Sequence, residues 1–424
     1  MRPALRRLRH GLAHLLSFEV VFALFLFAGV FKASPHLTWV PYDLTATFAV
    51  LSGLFAITLL LTKRVDLRSK SLVIVALFGL FLAYALLTVL WTLSEIYVQE
   101  KALRLASVTA FSLVGCALIV GADRLRLRRF LAATLVLALV TAAATIYPFT
   151  IHGPVRIEPF GTTYLILGRM IGFGAVIAAW YLLFVSRSFP RSIAAICAFV
   201  PMVFALLILD GRGPLASTTV TVGLLAIGAL VLTPVHRRLE RVIPGVAGAG
   251  IIVIAIDRYG HTLRVYEKFR ATFSTNPDPA TAGRLANWEA AYATWRSGRT
   301  VTGHGLGSWG PLTDQTIHWP HNIVLELLVE LGLIGLLLFF LPIVVGLWLS
   351  VTGYLDTRDP EYVAVLALFV YMLLNAQVTG DFNDNRFLFA TVGLLCYGAT
   401  AEPRMAWMKD LFEAWTRTLL TDRK

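Results

Sequence analysis

Apolar runs long enough to cross a bilayer recur along almost the whole of this 424-residue chain. FEVVFALFLFAGVF, SLVIVALFGLFLAYALLTVLW and IAAICAFVPMVFALLILD are three of them. About 20 consecutive apolar residues in a helix cover the roughly 30 Å of bilayer hydrocarbon. The chain is 57% hydrophobic and 15% charged, with a mean hydropathy of +0.73. Soluble domains average about half apolar and a quarter charged. The expected fold is an all-α polytopic membrane protein rather than a soluble protein with a large core.

Hydropathy places spans near residues 15–31, 44–62, 71–92, 103–120, 130–149, 169–185, 193–209, 214–232, 242–257, 322–350, 361–378 and 386–402, about twelve transmembrane helices. Residues 1–424 then form a single integral membrane domain, and 258–320 is a large loop between spans 9 and 10. RPALRRLRH precedes the first run without a small-residue cleavage site after it, so that run reads as an uncleaved first span. With both termini cytoplasmic, the inside segments include MRPALRRLRH, TKRVDLRSK, GADRLRLRR, PVHRRLER and the tail, and all inside segments together hold about 23 of the 37 Lys and Arg. The net charge of +12 therefore reads as a topology signal. No basic patch stands apart from the membrane flanks, so no nucleic-acid partner is expected; the expected surroundings are a lipid bilayer. Cys116, Cys197 and Cys396 fall inside apolar runs without disulfide or metal-ligand spacing and read as small hydrophobes.

The loop 258–320 is too long for a simple connector. HTLRVYEKFRATF has helix-like apolar spacing, and TNPDPATAG breaks it. In GRLANWEAAYATWRS, Leu285, Trp288, Tyr292 and Trp295 recur at three- and four-residue steps, with Thr281 or Gly283 as a start signal. Two amphipathic helices over the mouth of the bundle are expected.

The candidate chemistry gathers on the same side. PHNIVLELLVELGLIGLLLFF puts His321 and Asn322 at the entrance of a span, directly after the Gly-rich GHGLGSWGPLTDQTIHW. An imidazole titrating near neutrality suits a general base; the alternative is a capping or packing histidine. His304 and His318 are near in sequence, but no Cys or carboxylate stands at ligand spacing, so no metal is expected. Arg212 in LDGRGP sits on the outer side, where the charge rule supplies no reason for it, and a bidentate guanidinium there suits a phosphate or pyrophosphate. Arg284 reads as opening the second loop helix, adding to an anion-favouring end; the alternative is an exposed surface arginine. Arg156 and Arg169 flank GPVRIEPFGTTYLILGR as candidate substrate-binding residues. In TGDFNDNRF, Asp381 and Arg386 read as a pair across a short turn, with carbohydrate binding as the minority reading. Glu326 and Glu330 share a helix face and are expected to meet neighbouring helices. With no GxxxxGK[ST] and no Asp-x-Asp in the long loop, neither ATP nor a metal-held nucleotide-sugar is indicated, and no cofactor is expected.

Together these residues resemble the superfamily of O-antigen ligases and O-antigen polymerases of bacterial inner membranes. His321-Asn322, nine residues, then Gly332-Leu333-Ile334-Gly335 is similar to the ligase signature His-[Asn/Ser/Gln]-x9-Gly-x-x-[Gly/Tyr]. Arg284, Trp288 four on and the later Gly-x-Gly resemble the family's outer loop, and TGDFNDNRFLFA resembles its ending. The resemblance covers about residues 150–400. It implies a GT-C-type glycosyltransferase whose donor is a glycan on undecaprenyl pyrophosphate and whose acceptor is lipid A–core oligosaccharide. It also implies His321 as the catalytic histidine, and Arg212 and Arg284 as diphosphate-binding residues, with the site on the periplasmic side. Two features depart toward the polymerase, which joins repeat units instead. The ligase pattern Arg-x3-Leu has its leucine one residue early here, at Leu215, and Arg156 to Gly172 fits an Arg-x15-Gly spacing of polymerases. A flippase for the same lipid-linked sugar is the rival class; it predicts internal repeats and helices broken at mid-membrane.

Overall fold

A computed structural model describes residues 17–65, 67–95, 97–153, 158–209, 211–232, 250, 279–313 and 319–398. The expected span at 242–257 and the first loop helix at 261–273 lie outside the residues from which the fold can be described. The described chain is helical, with no strand among the described residues. In order come α1 (Phe18–Phe31), α2 (Leu44–Leu61), α3 (Ser69–Trp91), α4 (Tyr97–Ala122), α5 (Arg124–His152), α6 (Tyr164–Val185), α7 (Phe189–Ile208) and α8 (Arg212–Leu232). Then follow α9 (Pro279–Ser297), the single turn α10 (Trp309–Thr313), α11 (Ile323–Thr357), α12 (Pro360–Ala376) and α13 (Arg386–Leu394). Eight of these, α2 to α8 and α11, are long and apolar enough to cross a membrane, and α1 and α12 are shorter apolar helices. The protein is an α-helical, multi-pass membrane protein.

Lipid makes both faces of a spanning helix apolar, so burial, not polarity, shows which helices are central. In α6 every residue from Leu167 to Trp180 is buried, which makes it the axis of the bundle; α5, α7, α8 and α12 surround it. Gly168 of α6 lies against Pro214 in the first turn of α8, bringing the starts of those two helices together. By contrast α2 buries only Ser52 and Ala56; Phe48, Phe55 and Leu59 pack partly against the core, and Val50, Leu51, Leu54, Ile57 and Leu61 leave one apolar face for lipid.

The two ends of the bundle differ chemically. At one end the first turns of α5 form ion pairs: Arg124 Nε and Arg128 NH2 reach the fully buried Glu361 at 3.0 and 2.5 Å, and Arg126 NH1 reaches Glu19 at 2.7 Å. Arg126 also donates to the carbonyl of Arg64 at 3.3 Å, so the basic segments after α2 and before α5 meet at that end. The opposite end carries Trp319 to Asn322, the start of α8 and the turn between α12 and α13.

The glycine-rich loop explains the spacing that follows His321. α11 is interrupted at Gly332, whose φ of 66° and ψ of −167° are open to glycine and strained for any side chain. The segment 300–305 fills the break. His304 N–H donates to Val329 O at 2.9 Å, Gly305 N–H to Glu330 O at 2.8 Å, Leu333 N–H to Thr300 O at 3.0 Å and Ile334 N–H to Val301 O at 3.1 Å. The Tyr84 hydroxyl adds a bond to Leu331 O at 3.1 Å. Backbone freed at membrane depth is thus re-satisfied by protein, as hydrocarbon requires. A Cβ on Gly332 would stand 2.3 Å from Val301 O, a backbone atom with nowhere to go. Gly332→Ala is expected to cost about 1–3 kcal/mol from the backbone conformation alone, with the clash added. Thermal unfolding of the detergent-solubilised protein checks this, and an unchanged Tm would show that the break is dispensable.

Candidate functional site

His321 stands at the entrance of α11 with φ of 59°, a left-handed conformation that is uncommon for a non-glycine residue. Neighbours hold it there. Asn322 caps α11, its Oδ1 accepting from Leu325 N–H at 3.0 Å while its Nδ2 donates to Gln377 O at 3.3 Å. Trp319 Nε1–H donates to His321 Nδ1 at 3.2 Å, and the Trp319 ring also lies against Tyr97 of α4, centroids 6.4 Å apart. With Nδ1 accepting, the neutral ring carries its proton on Nε2. Burial holds the half-buried imidazole below its ordinary value of 6.5, and the positive charge of Arg284 pushes in the same direction. The ring is therefore neutral at pH 7.

Arg212 and Arg284, more than 70 residues apart in sequence, line one cavity of about 240 Å³. Trp288 lines it too, and its buried indole N–H finds no acceptor among the described residues. The floor is Val378 at the end of α12, close to the Gln377 carbonyl that holds Asn322. Two arginines and a tryptophan thus line one space, and the charge of Arg284 acts on the His321 imidazole.

Several sequence expectations are revised by the packing. Arg284 does not open its helix: α9 begins at Pro279, so the arginine lies in the second turn. The docked stripe of α9 also differs in part from the expected one. Asn287 and Ala291 are buried and Leu285 and Tyr292 exposed, while Trp295 of the expected stripe packs with Ala291 against Val329 and Trp309, and Trp288 is half-buried. Asp381 and Arg386, expected as a pair across the turn, each meet other groups. Asp381 accepts from the Tyr97 hydroxyl and lies 3.9 Å from Lys101 Nζ, while Arg386 runs the other way, over the Phe25 ring at 5.7 Å. The turn between them crosses the bundle interior, and each side chain takes the partner on its own side. Arg169 is buried in α6 and donates to Asn385 Oδ1 at 3.3 Å. Arg156 and His318 lie outside the described residues. His304 packs against Gly298, and among the described residues no group of three His, Cys, Asp or Glu side chains is placed to hold a metal ion.

The residue that sequence reading passed over is Lys101. It is fully buried in α4, with Nζ 2.5 Å from Glu326 Oε1 and 2.9 Å from Glu330 Oε1. Each glutamate uses its other oxygen to accept a backbone N–H, Glu326 from Phe382 at 3.1 Å and Glu330 from Gly307 at 2.9 Å. The Phe382 ring lies 4.4 Å from Nζ. One ammonium group thereby ties together α4, α11, the glycine-rich loop and the turn after α12, the four pieces around His321. The signal was present: a lysine near the start of one apolar span and two glutamates in another, where an ionisable group demands a partner.

The fold and the site define a multi-pass helical membrane protein with a cavity lined by Arg212, Arg284 and Trp288 close to a neutral imidazole. No protein-family model matches the chain, and comparison with curated proteins gives no match.

Proposed function

We propose that the protein is an O-antigen ligase of the GT-C type, transferring a glycan from undecaprenyl pyrophosphate to lipid A–core oligosaccharide. In this reading the chain crosses the bacterial inner membrane about twelve times, both termini are cytoplasmic, and the His321 end faces the periplasm. The observation that carries it is the shared cavity of Arg212 and Arg284 beside His321. Those three residues are the ones that the family resemblance marks, and they are far apart in sequence.

The donor diphosphate sits under Arg212 and Arg284, with the Trp288 indole N–H as a third donor. The acceptor hydroxyl oxygen attacks the anomeric carbon, and the bond from that carbon to the diphosphate oxygen breaks. The electron pair leaves with the diphosphate, where two guanidiniums offset the growing charge; a preorganised donor of this kind is worth roughly 3–4 kcal/mol. The hydroxyl proton passes to His321 Nδ1 once the acceptor displaces the Trp319 indole; with the indole in place the ring donates only from Nε2. A single displacement inverts the anomeric carbon. The step uses no metal or cofactor.

Two alternatives are separable. A polymerase uses the same donor cavity and a second undecaprenyl-linked repeat unit as acceptor. A flippase would use a helix broken at mid-membrane, and α11 is broken at Gly332. The carbonyls freed there bond the loop 300–305 instead of facing a cavity, which favours the transferase. The test offers purified protein both acceptors with undecaprenyl-pyrophosphate glycan. Product on lipid A–core is expected. Product only on repeat units makes the protein a polymerase, and no product with either acceptor removes the transferase reading.

A further inference from the structure

A second cavity at the same end of the bundle, about 370 Å³, shares no lining residue with the first. Four cations line it from four separate elements: Lys32 after α1, Arg104 in α4, Arg169 in α6 and Arg386 at the start of α13. Among the described residues Asp43 is the carboxylate in the lining, 4.0 Å from Lys32 Nζ. Arg104 pairs with Glu100 one turn earlier. Both pairs are about half exposed and therefore screened by solvent.

Three independent features mark this as a built site. Gly29 leaves room for a guanidinium, since a Cβ there would stand 2.6 Å from Arg386 NH2. Asn383 is 5% exposed, and its Nδ2 donates to Lys101 O at 3.2 Å, which fixes this part of the cavity wall to α4 at the buried Lys101. Directly after Arg104, α4 widens into a π turn at Leu105–Thr109, a device that recurs at functional sites. One wall is the first two turns of α2, through Ala46 and Ala49, and the exposed face of α2 is apolar, with Val50, Leu54, Ile57 and Leu61 open to lipid. A cationic space walled by a lipid-facing helix suits an anionic head on an apolar tail. Guanidiniums in number favour phosphate, which they bind in bidentate geometry.

We propose that this cavity holds the phosphorylated headgroup of a second lipid, taken from the leaflet on the His321 side. Naming that lipid the acceptor rests on the transferase reading; its binding does not. The donor and acceptor headgroups then lie on opposite sides of the turn 381–385, each in its own cationic pocket.

The experiment measures equilibrium binding of lipid A to the full chain in phosphatidylcholine nanodiscs, against the same lipid stripped of its phosphates and against inorganic phosphate alone. Wild type is expected to bind the phosphorylated lipid at least tenfold tighter than the stripped one. The double variant Lys32→Glu/Arg104→Gln is expected to lose that tenfold preference; both side chains are about half exposed, so its folding is not at issue. Arg212→Gln, in the other cavity, is expected to stay within twofold of wild type. Equal affinity for the two lipids overturns the proposal, as does an unaffected double variant or an equal loss in Arg212→Gln. Inorganic phosphate that displaces the lipid completely makes this a free-anion site and overturns the lipid assignment. Phosphate-dependent binding without glycan transfer leaves this site standing and removes the transferase reading.

Discussion

His321→Ala is expected to slow glycan transfer ~10²–10⁴-fold, the range a positioned acid–base group contributes, with donor binding little changed because Arg212 and Arg284 remain. A rate equal to wild type would sink the assignment. His321→Gln separates two roles. Glutamine can orient a hydroxyl but cannot take its proton at neutral pH, so recovery of a tenth or more of the rate makes the histidine a positioning residue. The pH profile adds a sign. Because burial, then Arg284, holds the imidazole below 6.5, the neutral form dominates at pH 7. Transfer should be flat above neutrality and fall as the pH drops through that lowered value. Arg284→Gln removes the second cause, so its acid limb should move to higher pH while burial keeps it below 6.5. An acid limb at or above 6.5 in wild type would contradict the geometry.

The largest expected stability effect is at Lys101. Lys101→Met leaves Glu326 and Glu330 buried without their shared cation, and removing one partner of a buried ion cluster costs about 3–5 kcal/mol. The loss should appear as a lower apparent Tm in detergent. Activity should fall further than stability alone predicts, because the elements joined at Lys101 also position His321. The triple variant Lys101→Met/Glu326→Gln/Glu330→Gln removes the charges together and should recover part of the Tm, since what destabilises is the uncompensated charge rather than the missing pair. A single variant as stable as wild type would show that the cluster holds nothing together.

Much of this architecture is legible along the chain. Helix positions follow from the length of apolar runs, and the start of α11 follows from Asn322, a capping residue directly before an apolar stretch. The interval from Asn322 to Gly332 is also readable, and the structure supplies its reason: it sets the depth at which α11 breaks to receive the loop. The site was legible as residues but not as an arrangement. Arg212, Arg284 and His321 stand out one at a time, yet nothing in their spacing says that two share a cavity and that one acts on the third.

Lipid is the physical reason for that division. Span length and backbone hydrogen bonding are properties of a segment taken alone, so bilayer thickness writes them directly into the sequence as apolar runs, caps and a helix-breaking glycine. Rotation about each helix axis is not written there, because a side facing lipid and a side facing protein are equally apolar. Only the packed bundle decided that Asp381 turns to Tyr97 and Lys101, that Arg386 turns to the opposite cavity, and that α9 docks through Ala291 and Trp295 while Leu285 and Tyr292 stay exposed. Those rotations separate one cluster of charges into a structural centre and two distinct cationic pockets.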